Sequence, residues 1–152
     1  MSVYDGVTHS RLKAINLEAD NLSVTNRSVV FNVRQRFTIA QVNAGATLVA
    51  AVSGKSIRMV GCKAIAVGGA AGAVTTVDIL GTSTTARKLV AFAQASLTQS
   101  AVLADGGTGG TVLADGASYT ANDANTAVTI GKTGSNVTTA THIDVIFVYV
   151  LD

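Results

Sequence analysis

Two stretches near opposite ends of the chain alternate apolar and polar residues with a period of two, and this pattern restricts the fold more than any other feature. Over residues 29–39, Val29, Phe31, Val33, Phe37 and Ile39 fall on one side of an extended chain. Asn32, Arg34, Arg36 and Thr38 fall on the other, and Gln35 is the one interruption. Successive side chains of a strand point to opposite faces, so the spacing predicts a half-buried β-strand. In residues 143–151, Ile143, Val145, Phe147, Tyr149 and Leu151 share a face. The other face holds Asp144 and then Ile146, Val148 and Val150, which predicts a strand buried on both sides.

Shorter β candidates lie between them, near 46–52, 55–67, 74–81, 87–94, 111–113, 117–121 and 125–132. Turn-forming residues separate them: Ser53-Gly54, Gly68-Gly69, Gly81, Asp105-Gly106-Gly107, Asp115-Gly116 and the stretch 131–136. Residues 86–103, rich in Ala, Leu, Gln and Lys, fit a helix as well as a strand. Val102-Leu103-Ala104-Asp105-Gly106 recurs ten residues later as Val112-Leu113-Ala114-Asp115-Gly116, which reads as two similar hairpin turns. Eight or nine short strands with regular turns predict an all-β fold, an antiparallel β-sandwich or jelly roll. Residues 1–28 are more polar and only weakly patterned. They are expected to form an extended N-terminal arm that orders on a neighbour, with a short helix at 10–19 as the alternative. Residues 29–152 form the sandwich body.

A chain of 152 residues suits one domain. Its 48% hydrophobic content supports a core, while charged residues make up only 13%. So sparse a charge implies either a surface covered by partner chains or one built from Thr, Ser, Gly and Asn. The charge is also uneven. Residues 1–63 carry eight bases against three acids, a net +5, and residues 64–152 carry three against six, a net −3. The bases are neither clustered nor interleaved with aromatics, so an acidic protein is expected as partner, and no nucleic acid. No run approaches the ~20 apolar residues needed to span a bilayer, and residues 1–20 lack an apolar leader. The lone Cys62 excludes an intrachain disulfide. A chain made and kept in cytosol-like conditions, without membrane contact, is the expectation.

Motifs for chemistry are weak. Ser53-Gly54-Lys55-Ser56 resembles the end of a phosphate-binding loop, but the glycine required five positions earlier is Val49, and a hairpin turn accounts for it better. Gly68-Gly69-Ala70-Ala71-Gly72 lacks dinucleotide spacing and reads as a turn. His9, His142 and Cys62 are too scattered for a zinc site, and a Cys–His nucleophile pair has no accompanying signal. Asp115, Asn122, Asp123 and Asn125 lack calcium-loop spacing and suit Asx turns. Glu18 is the only glutamate, which disfavours paired-carboxylate catalysis. No enzyme activity, cofactor or metal is expected.

Several words along residues 35–151 carry a family resemblance: Asn43-Ala44-Gly45-Ala46-Thr47-Leu48, Ser53-Gly54-Lys55, Ile65-Ala66-Val67-Gly68-Gly69 and Thr75-Thr76-Val77-Asp78-Ile79-Leu80-Gly81-Thr82. Ala114-Asp115-Gly116-Ala117-Ser118 and Thr139-Ala140-Thr141-His142-Ile143-Asp144-Val145 complete them. In these the chain resembles the small capsid decoration, or cement, proteins of tailed bacteriophages. The resemblance implies a structural virion protein on the outer capsid surface, made in the host cytoplasm. It would bridge neighbouring copies of the major capsid protein and self-associate, as a trimer in preference to a dimer. The alternative is a head-fibre, tail or baseplate module involved in host attachment. Arg34 and Arg36, two residues apart on one strand face, are the leading capsid-contact candidates, followed by Arg11, Arg27 and Arg58.

Overall fold

A computed structural model describes residues 29–106, 111–112 and 118–152. The expected arm, residues 1–28 with Arg11 and Arg27, lies outside the described residues. So do Asp115 and most of the second copy of the ten-residue repeat.

The described chain is mostly antiparallel β, with one short helix. Its strands are β1 (Val30–Thr38), β2 (Ala46–Val49), β3 (Ile57–Val67), β4 (Val74–Ser83), β5 (Thr85–Ala93), β6 (Leu103–Ala104), β7 (Thr111–Val112), β8 (Val128–Gly134) and β9 (His142–Leu151). Helix α1 (Ile39–Ala44) joins β1 to β2. A four-stranded sheet runs β1-β9-β3-β6 and a five-stranded sheet β2-β8-β4-β5-β7. Four pairings nest inside one another along the chain: β1 with β9, β2 with β8, β3 with β6, and β4 with β5.

The inner faces of both sheets meet in one apolar core. Phe37, Met59, Cys62, Ala64, Val145 and Phe147 enter from the four-stranded sheet, and Leu48, Val77, Ile79, Val90, Phe92 and Ile130 from the five-stranded one. Tyr149 stacks between Phe31 and Phe147, with centroid distances of 5.4 and 5.9 Å. Full burial of each such side chain stabilises by roughly 1.5–3 kcal/mol. At the sandwich corner Gly68 has φ +76, and a Cβ there would lie 2.5 Å from Thr141 Oγ1, so only glycine fits without rearrangement. The Ser53-Gly54 segment is a turn, with Lys55 N–H donating to the Val52 carbonyl at 3.1 Å.

Three details differ from the sequence reading, and one alternative is decided. The 29–39 strand stops at Thr38, whose hydroxyl accepts from Gln41 N–H while the Gln41 side chain accepts from Thr38 N–H; this capping box starts α1. Within 86–103, left open between strand and helix, the strand expected at 87–94 is present as β5. Within 117–121, Ser118 and Tyr119 form a helical turn instead of a strand. β9 is buried on its inner face from Ile143 to Tyr149, while on its outer face Val150 is buried but Ile146 is exposed, so the burial expected on both sides holds only in part.

Candidate binding surface on the four-stranded sheet

The register across β1, β9 and β3 builds the outer face row by row. Directly opposed residues of antiparallel strands share a face. Arg34 lies opposite Ile146, which lies opposite Lys63; Arg36 lies opposite Asp144, which lies opposite Ile65. Further along, Asn32, Val148 and Gly61 form one row, and Val30, Val150 and Arg58 another.

β3 reaches this arrangement through a bulge between Met59 and Gly61. An extra residue reverses the parity of a strand, so Arg58 and Lys63, of opposite parity in sequence, both turn outward. Asp105 clamps the bulge. Its Oδ1 accepts from Cys62 N–H at 2.7 Å, and its own N–H donates to the Cys62 carbonyl at 2.6 Å. The Cys62 thiol points into the core, where burial and, secondarily, the Asp105 charge push its pKa well up. It stays a neutral thiol and a poor nucleophile.

Two of the outward bases are already engaged. Arg36 grips Asp144 with Nε to Oδ1 at 2.7 Å and Nη2 to Oδ2 at 2.8 Å. That hydrogen bonding holds the Asp144 carboxyl below its usual range, with Arg34 and His142 adding to the effect and burial opposing it. Arg58 Nε donates to Asp152 at 2.7 Å. Arg34 and Lys63 have no ion partner among the described residues.

Between these bases the face is apolar. Of the five exposed large apolar side chains described, Val30 (58%), Val60 (47%), Val102 (59%) and Ile146 (38%) lie on it or at its rim; the fifth is Tyr119. Arg34, Lys63, Ile65, Val102, Asp144 and Ile146 line a depression of about 120 Å³. That is below the several hundred Å³ of a cofactor site and suits one inserted side chain of a partner.

Of the contact candidates read from sequence, Arg34, Arg36 and Arg58 thus come together on one face. Lys63, Val60, Val102 and Ile146 were not among them. Only a bulge invisible in the alternation turns Arg58 and Lys63 to the same side.

The groups weighed for chemistry stay apart. Cys62 is on the inner face, whereas His142 opposes Val67 and Thr38 at the sheet's end. Asp123 accepts from Thr84 N–H, and Asn125 Oδ1 accepts from Gly54 N–H at 2.7 Å. Among the described residues, no three His, Cys, Asp or Glu are placed to hold a metal ion, and no helix is long and apolar enough to cross a membrane. Compared with protein-family models, curated proteins and solved structures, the chain matches none.

Proposed function

We propose that this chain is a structural virion protein without catalytic activity that binds the outside of a phage capsid and bridges neighbouring major capsid proteins. The observation that carries the binding role is the outer face of the four-stranded sheet, where exposed Val30, Val60, Val102 and Ile146 lie among Arg34, Lys63 and the paired Arg36 and Arg58. An apolar centre with a charged rim is the usual anatomy of a protein interface. The capsid as partner is supported by the family resemblance of residues 35–151. Burial of the patch contributes about 25 cal/mol per Å² before association costs, repeated at every site on a shell.

We read the body as a jelly roll. The nested pairings support this: without the two-residue β7, the sheets run β1-β9-β3-β6 and β2-β8-β4-β5, a long hairpin wound into two four-stranded layers. An N-terminal arm within residues 1–28 and self-association as a trimer complete the proposal, the latter favoured by the low charge and the exposed Ile146 on the outer face of β9.

The test is a binding titration of the purified chain against undecorated capsids across a salt series. Saturable binding to the shell, weakened by salt, supports the reading. Attachment to tails or fibres with none to the shell replaces it with the host-attachment alternative.

A further inference from the structure

The word Val102-Leu103-Ala104-Asp105-Gly106, first copy of the ten-residue repeat, closes on β3 just past its bulge. Leu103 sits opposite Ala64 and enters the core, and Ala104 sits opposite Lys63. Val102 lines the same depression as Lys63. Asp105 and Gly106 follow in a turn, with φ +48 and +94. Aspartate is one of the few non-glycine residues that accept a positive φ, because its short side chain can bond nearby backbone. Here the bond crosses to β3. Cys62 N–H donates to Asp105 Oδ1 at 2.7 Å, and Asp105 N–H donates to the Cys62 carbonyl at 2.6 Å. One residue thus holds both backbone polar groups of Cys62.

Where the bulge sits decides what the outer face carries. The inward side chains are Ile57 and Met59 before it, and Cys62, Ala64 and Ala66 after it, a change of parity. Met59 pairs with Tyr149 and Gly61 with Val148, so Val60 is the extra residue. Without an extra residue, unbroken alternation from Ile57 would carry Lys63 to the core side and Cys62 and Ala64 to the outer side. The apolar pattern therefore demands an extra residue between Met59 and Cys62, but it does not fix its place. A bulge also disrupts the ladder around it, so the strand is weakest there. The two bonds to Cys62, the first core residue after the bulge, pin it.

We propose that Asp105 is a positioning residue of the proposed binding face: by holding the Cys62 backbone it fixes the β3 bulge and keeps Lys63 in the outward row with Ile146 and Arg34. The geometry stands on β3 and Asp105 alone, and its consequence for binding rests on the capsid reading above.

Two variants of the full chain separate the acceptor from the backbone. Asp105→Asn keeps an oxygen acceptor and the tolerance of positive φ. Asp105→Gly loses the acceptor, while glycine adopts φ +48 without strain, so the turn is retained. Circular dichroism checks that both fold. Cys62, the only cysteine and buried, reports on the clamp. In Asp105→Gly, exchange of the Cys62 amide and reaction of its thiol with an aromatic disulfide reagent should each quicken roughly tenfold. In Asp105→Asn both should stay near the wild-type rates. In capsid titrations, Asp105→Gly should weaken binding about as much as Lys63→Ala. The double variant should lose no more than either alone, because both changes remove the same contact. Asp105→Asn should bind as wild type does. Wild-type Cys62 rates in Asp105→Gly would overturn the clamp. Faster rates with undiminished binding, or additive losses in the double variant, would overturn the positioning role. A wild-type chain that does not bind capsids would sink the proposed function instead, and the clamp would still stand or fall on the Cys62 rates.

Discussion

The two sheets treat their outward polar residues in opposite ways. On the five-stranded sheet, Asp78 falls on the side away from the core residues Val77 and Ile79, yet it is only 1% exposed. It lies opposite the small residues Ala91 and Gly131, accepts from the Thr133 hydroxyl at 2.7 Å and pairs with Lys88 at 3.2 Å. On the four-stranded sheet, the Arg36 and Arg58 side chains are 55% and 47% exposed as they reach Asp144 and Asp152. Arg34, Lys63 and Ile146 remain open beside them. The five-stranded sheet thus buries the carboxylate of its ion pair, whereas on the four-stranded sheet the paired arginines are exposed and Arg34 and Lys63 have no ion partner among the described residues. On that contrast, rather than on total charge, the proposed binding face rests.

The largest test of the contrast removes a carboxylate from each sheet. Asp78→Ala removes the buried carboxylate that accepts from Thr133 and pairs with Lys88, although those two side chains still bond to each other. A loss of about 2 kcal/mol is expected in urea unfolding. Asp144→Ala should cost a small fraction of that, since exposed pairs contribute little. Equal losses would mean that the sheets do not differ in this way. The next test exchanges stability for binding. Ile146→Asp places a charge in the apolar centre and should weaken capsid binding roughly tenfold or more while the protein stays folded. Ala86→Asp, at an exposed position of β5, should leave binding unchanged. Loss of binding in Ala86→Asp alone would move the interface to the other sheet.

The inner faces of β1 and β9 were legible in the sequence because a strand with one wet face must alternate. β5 was expected as a strand at 87–94 but not separated from a helix over 86–103, because Leu89, Val90, Ala91 and Phe92 are all buried in succession, beside a register shift between Ile79 and Leu80 of β4. A run buried on every side has no period by which to tell strand from helix. The proposed binding face was half legible: the spacing of Arg34 and Arg36 was plain, but Lys63 joins them only through the β3 bulge. The partners of Arg36 and Arg58 lie 108 and 94 residues away, and no local pattern marks such pairs. Helix α1 did have a readable signal, the Thr38-x-x-Gln41 capping box, which the strand pattern running through Ile39 obscured. Because α1 carries the chain from one sheet to the other, Thr38→Ala probes the joint between them. It should lower stability by about 1 kcal/mol and leave capsid binding intact. A matching loss of binding would show that the sheets act as one unit.

The smallest effect is one of pH and concerns Arg36 and Asp144. The Arg36 hydrogen bond holds the Asp144 carboxyl below its usual range in the folded chain. A carboxyl with a lower pKa folded than unfolded stabilises fully above its unfolded value, near ~3.9. That stability is lost as pH falls through the depressed folded value. The difference in urea midpoint between wild type and Arg36→Ala should therefore be constant above about pH 5 and shrink as pH falls below about 4. In a carbon-detected NMR titration, the Asp144 midpoint should rise toward the ordinary value in Arg36→Ala. An unchanged midpoint would mean that the two side chains touch without energetic coupling. Arg36 would then be as free as Arg34 to grip an acidic partner, and the four-stranded face would offer three unengaged bases (Arg34, Arg36 and Lys63) instead of two.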